Sequence, residues 1–174
     1  MSDYRFTQTG VMRLSDGAQI PNASGNRDWL DYLAWRDAGG VTLPGQTVEG
    51  AREQRLSRID AACSSAITDG FTSSALGKAC LYPSKPTDQS NLQASVLASL
   101  FPGLAEDWTT PFWCQDAAGT WAYRPHTAAQ IQRVGTDGKN AINACIAHKI
   151  ALEEQLAQAK TLAEIEAITW TPPQ

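Results

Sequence analysis

The chain has 174 residues, with 14 basic and 18 acidic side chains, a net charge of −4 and a hydrophobic fraction of 43%. That is the length of one domain, or of one domain with a small appendage, and it is apolar enough to exclude a disordered chain. No basic excess exists to neutralise phosphates, which argues against nucleic-acid binding, and no apolar run reaches the roughly 18 residues of a membrane span.

In chain order, residues 1–22 alternate as strands do, with Tyr4 and Phe6 on one face. Asp16-Gly17 supplies the two positive-φ residues of a type I′ turn, which predicts a short hairpin there. Residues 26–38 read as a helix capped by Asn26 or Asp28, carrying Trp29, Tyr32, Leu33 and Arg36 on one stripe and Trp35 off it, and stopped by Gly39-Gly40. A linker over 41–47 contains Pro44 and Gly45. Residues 48–68 form a helix opened by Thr47, striped by Leu56, Ile59, Cys63 and Ile67, and ended by Asp69-Gly70.

Short extended pieces follow around Phe71 and Cys80-Leu81-Tyr82, then a loop with Pro83 and Pro86. Leu92, Val96, Leu97 and Leu100 mark the next helix, closed by Phe101-Pro102-Gly103. A second hairpin over 111–124 has Phe112 and Cys114 alternating on one arm, Trp121 and Tyr123 on the other, and a turn at Asp116–Gly119. Thr127–Gln130 is a capping box that opens the helical C-terminal third. Gly135 and Gly138 should weaken or kink that helix, and the pattern resumes over Lys139–Lys160 with Ile142, Cys145, Ile146, Ile150, Leu152 and Leu156. A second capping box, Thr161–Glu164, opens a last short helix bearing Ile165 and Ile168.

Searching the sequence for chemistry yields no cofactor, metal or catalytic signature. Cys63, Cys80, Cys114 and Cys145 are 17, 34 and 31 residues apart, with no Cys-x-x-Cys, so they read as small buried apolar residues. The opening Met-Ser-Asp-Tyr-Arg-Phe lacks the charged start and apolar centre of a signal peptide, and synthesis in a reducing cytoplasm fits free thiols. No phosphate loop and no Gly-x-Ser-x-Gly occurs. A nucleophile pair could be composed from Cys114 and His126, although alternation with Phe112 makes Cys114 a core position. Asp60, flanked by Arg55 and Arg58, reads as ion-paired along its own helix. Six tryptophans remain as the main signal. About 40 residues seldom fold without help, so the N-terminal hairpin and helix either pack on the main domain or dock on another chain through Trp29, Tyr32 and Trp35.

Arg58-Ile59-Asp60, Ala66-Ile67, Gly70-Phe71 and Ser73–Gly77 stand in an order continued by Tyr82-Pro83-Ser84, Asp88-Gln89, Asn91-Leu92 and Phe112-Trp113. With the closing stretch from Thr127 to Trp170, this resembles a domain of unknown function common in tailed-bacteriophage tail modules, over roughly residues 50–170. The opening Gly10–Ala18, Ile20-Pro21 and Asn26–Trp29 also look like the starts of phage tail proteins. The resemblance implies a place near tail fibres or baseplate and carries over no catalytic residue. The expected fold is α+β: an N-terminal hairpin–helix arm over 1–40, the linker, and a mainly helical domain over 48–174 with short strands and a long C-terminal helix. The expected function is a non-enzymatic virion component that joins tail fibre to tail tip or baseplate and binds other tail proteins. Its partners include neither nucleic acid nor membrane, and a homotrimer would match the symmetry of tail fibres. The alternatives are a tail-fibre assembly chaperone that leaves the particle, or a module that binds the host surface.

Overall fold

Alternating apolar and polar residues near the N-terminus form three short strands, and the structure, a computed structural model, describes residues 3–173. Met1 and Ser2, part of the opening read against a signal peptide, and Gln174 lie outside the described residues. β1 (Tyr4–Phe6), β2 (Gly10–Arg13) and β3 (Gln19–Pro21) make an antiparallel meander, with Tyr4 opposite Arg13 and Val11 opposite Ile20. The expected hairpin is therefore the second half of a three-stranded sheet. Its turn also differs from the expected type I′, which needs positive φ at both central residues. Only Gly17 is left-handed, at φ 71°. A four-residue loop results, in which Arg13 N–H donates to Ala18 O at 3.0 Å and the Asp16 carboxylate accepts from Ala18 N–H.

Helix α1 (Arg27–Asp37) is capped by the Asn26 side chain, which accepts from the amides of Asp28 and Trp29. Arg13 ties the β2–β3 loop to its first turn by pairing with both Asp16 and Asp28. One face of α1 covers the sheet, burying Tyr4, Val11, Ile20 and Tyr32 with Trp29, Leu33 and Trp35 packed around them. The arm thus has a core of its own. It also reaches further than residue 40: Leu43 N–H donates to Tyr4 O at 2.8 Å, Phe6 N–H donates to Leu43 O at 3.0 Å, and Tyr32 Oη lies 3.0 Å from Thr42 Oγ1. Residues 41–43, expected in the linker, are parallel to β1 and belong to the arm.

Helix α2 (Val48–Thr68) starts at the Thr47 cap and ends before Gly70, whose φ of 117° only glycine adopts without strain. β4 (Phe71–Ser73) and β5 (Cys80–Tyr82) follow, and then α3 (Pro86–Ala98). Pro86, expected in a loop, instead opens α3 at a first-turn position, where the missing N–H is harmless and the fixed φ already suits a helix. β6 (Thr109–Gln115) and β7 (Trp121–Thr127) complete a second antiparallel sheet in the order β4-β5-β6-β7. The long helix α4 (Ala128–Gln158) and the short α5 (Leu162–Ala167) close the fold, each opened by the expected capping box. The architecture is α+β, with an N-terminal sheet-and-helix arm and a long C-terminal helix.

Two cores lie along α4. Its first half places Ile131 and Val134 against Phe71, Cys80, Tyr82, Leu92, Phe112 and Cys114. Its second half places Leu152 and Leu156 against Ala51, Ile59 and Ile165 from α2 and α5. Gly135 and Gly138, expected to weaken or kink the helix, do not interrupt it, and α4 runs as one helical segment for 31 residues. The glycines have a packing reason instead. A Cβ at Gly138 would come within 2.7 Å of the Phe71 ring, and one at Gly135 within 2.7 Å of a Val96 methyl. The Phe71 ring cannot swing clear, because it is buried and stacked on Tyr82 at 5.6 Å.

Gly138→Ala should therefore destabilise the fold although alanine is the better helix former. Overpacking of about 1–3 kcal/mol outweighs a propensity gain of about 1 kcal/mol. Thermal unfolding should show a lowered midpoint for Gly138→Ala and none of that loss for Gly25→Ala, where a Cβ meets open space. An unchanged or raised midpoint for Gly138→Ala would contradict the packing account.

Candidate functional site

The residues singled out in the sequence separate into structural groups and surface groups. Cys114 and His126 do not meet. Cys114 pairs with Ala122 and His126 with Thr110 across the β6–β7 ladder, four positions apart, or roughly 13 Å along the strand. His126 is fully buried and both ring nitrogens are engaged. Its Nδ1 lies 2.8 Å from the Arg124 carbonyl, which can only accept, so Nδ1 carries the hydrogen. Nε2 then accepts from the Tyr82 hydroxyl at 2.9 Å. Burial holds His126 below its ordinary pKa and pushes the Cys114 thiol above its own. A neutral imidazole locked in one tautomer and a protonated thiol make a core, not a nucleophile pair. All four cysteines are free and buried. Among the described residues no three His, Cys, Asp or Glu side chains gather as metal ligands, and no helix is long and apolar enough to cross a membrane.

Asp60 is ion-paired, but across helices. Its partner is Lys149 of α4, at 2.5 Å, rather than Arg55 or Arg58 on its own helix. Arg55 instead donates to the Glu166 carbonyl at 3.1 Å. Arg52, which the sequence left unremarked, donates to the carbonyls of Leu156 and Ala159 at 3.1 and 2.9 Å. It caps the C-terminus of α4, whose last turn has no basic residue.

The expected docking anchors occupy different positions. Tyr32 is only 1% exposed, in contact with Tyr4 and Trp29 at centroid distances of 5.1 and 4.9 Å. It holds the arm together and has no free face to offer a partner. Trp29 and Trp35 are half-buried beside it, and Trp35 Nε1 donates to Asp3 at 3.0 Å. Apolar exposure on the arm lies instead at Phe6, Leu30 and Val41.

Two further surfaces were not singled out in the sequence. On the β6–β7 hairpin, Phe112 and Cys114 face inward, so Trp113 must face outward. Register sets Trp113 beside Tyr123, at a ring distance of 4.9 Å, and parallel to Trp121 at 6.1 Å. These three rings form a row on the solvent face, with Tyr123 exposed by 69%. The second surface is a groove of about 850 Å³ between α3 and α4, lined by Leu92, Val96, Leu97, Leu100 and Ile142. Exposed Leu97 and Leu100 stand on one side of it, followed in the chain by exposed Phe101. Exposed Ile146 and Ile150 extend the helical stripe of Ile142. The apolar positions of α4 therefore serve two faces. Cys145, Leu152 and Leu156 point inward, and Ile146 and Ile150 are rotated by roughly 80° to 160° from them at about 100° per residue. The sequence pattern over Lys139–Lys160 does not separate these two faces.

The buried histidine gives a pH signature. Its folded pKa is lowered from the ordinary 6.5 by burial, so the unfolded chain binds more protons as pH falls past that value, and stability rises with pH there. The contribution is complete above the unfolded pKa and lost as pH falls toward the folded one. The thermal midpoint should drop between about pH 7.5 and about pH 5.5, and His126→Gln, less stable throughout, should show a shallower drop. Equal slopes in the two proteins would remove His126 as the cause.

No curated protein and no solved structure matches the chain. Residues 50–169, from the third residue of α2 through α5, match the family described as a domain of unknown function (DUF4376). With that much of its length matched, the chain belongs to this family.

Proposed function

We propose that the chain is a non-enzymatic structural protein of a bacteriophage tail, joining tail fibre to tail tip or baseplate through protein–protein contacts. The observation that carries this reading is a pair of exposed apolar surfaces on two separately cored units. The arm exposes Leu30 on α1 and Val41 past its end, by 51% and 72%, and leaves Trp29 and Trp35 half-buried. The family domain offers Leu97, Leu100 and Phe101, each more than half exposed, with Ile146 and Ile150. Large exposed apolar side chains are candidates for interaction, and a protein that joins two others needs such side chains on each of its two units. The tail setting rests on the ordered resemblance of residues 58–92, 112–113 and 127–170 to tail-module sequences. Its partners are then other tail proteins, and its place is the virion tail.

Particles of the phage that encodes the chain, purified and analysed by quantitative mass spectrometry, should contain it in fixed ratio to the baseplate proteins. Particles made with Leu100→Glu, an exposed change that leaves the fold intact, should lose it. Absence of the wild-type chain from finished particles would instead favour an assembly chaperone. Undiminished incorporation of Leu100→Glu would remove the α3–α4 surface as a dock.

A further inference from the structure

A second, smaller cleft of about 410 Å³ lies between α3 and the β6–β7 hairpin, within the size range of small-ligand sites. It is apart from the α3–α4 groove, takes one wall from the aromatic row of the hairpin, and is mixed in chemistry. Trp113 and Tyr123 form one wall. Asp88, Asn91 and Ser95 form the other, at i, i+3 and i+7 on one face of α3. Each wall is anchored at one point: Phe112, next to Trp113, is in the core, and Asp88 Oδ2 accepts from the Lys85 amide at 3.0 Å. Its Oδ1 and the Asn91 amide have no hydrogen-bond partner among the described residues.

We propose that this cleft binds a neutral saccharide. A pyranose ring lays its C–H face on Trp113 and Tyr123, where the negative π face meets the slightly positive hydrogens. Its hydroxyls donate to the Asp88 carboxylate and exchange hydrogen bonds with Asn91. Charge selects against acidic sugars, because the lining holds one carboxylate and no lysine or arginine. Hydrogen-bond polarity selects against a proline-rich peptide, the other common ligand of aromatic grooves. Such a peptide presents mainly carbonyl acceptors, which Asn91 and Ser95 could meet but which leave the Asp88 carboxylate unpaired, whereas sugar hydroxyls satisfy both. A second copy adding a strand to β7 is disfavoured by Pro125 on that edge strand. The inference does not depend on the tail-joining role.

The test is a titration of the full-length, isotope-labelled chain with lactose, maltose, mannobiose and N,N′-diacetylchitobiose at millimolar concentrations. Sialyllactose serves as the acidic counterpart and octaproline as the peptide. At least one neutral disaccharide should shift the Trp113 indole and Asn91 amide signals saturably. Trp113→Ala and Asn91→Ala should each weaken that binding, the former by about tenfold, and Trp29→Ala should leave it unchanged. The proposal fails if none of the four neutral sugars moves these signals. It fails equally if only sialyllactose or octaproline does, or if binding survives Trp113→Ala in a protein that unfolds at the wild-type temperature.

Discussion

The close approach of α4 to Phe71 and Val96, made possible by Gly138 and Gly135, is the constraint on which the family domain depends. Two glycines in a helix interior cost about 1 kcal/mol each in propensity. The packing they allow lets one unbroken helix of 31 residues, about 46 Å long, run through both cores. Its first half closes the sheet β4–β7, and its second half closes against α2 and α5. Both ends are fastened. The Thr127–Gln130 box satisfies the first amides, and Arg52 from α2 satisfies carbonyls of the last turn. Lys149 adds a link from α4 to Asp60 of α2, but the pair is half-exposed and worth little by itself.

This arrangement decides what the surface presents. Once Ile131, Val134, Leu152 and Leu156 face inward, Ile146 and Ile150 have no core to join and open toward solvent beside the α3–α4 groove. Likewise the inward Phe112 and Cys114 set Trp113 on the outer face, in line with Trp121 and Tyr123. The polar groups that resemble chemistry are absorbed by the interior. His126 spends both nitrogens on Arg124 and Tyr82, and Ser73 donates to Asp137 at 2.6 Å, pinning β4 to α4. The domain therefore presents exposed apolar surfaces, aromatic on the hairpin and aliphatic on the helices. The arm keeps its aromatic rings largely for its own small core.

Local signals were legible in the sequence, and long-range ones were not. The caps at Asn26, Thr47, Thr127 and Thr161 stand at the expected positions, because a cap needs only residues within one turn. The α2 stripe was readable for the same reason. Gly138 could not be read correctly, since its role is set by Phe71, far away in sequence and adjacent in space. Asp60 was assigned to neighbours on its own helix when its partner lies on α4, and Arg52 carried no local sign that it caps a distant terminus. Tyr32 was expected as an anchor because the arm looked too small to bury it. The third strand and the return of Leu43 to β1 supply the missing cover. The exposed hairpin rings could have been found by carrying the alternation one residue further, from Phe112 to Trp113.

The continuity of α4 across its glycines is tested most directly by native-state hydrogen exchange of the backbone amides over residues 131–156. Protection should stay high through Gly135 and Gly138 and collapse only with global unfolding of the domain. Fast exchange confined to residues 133–140, with the two halves of the helix opening separately, would contradict it.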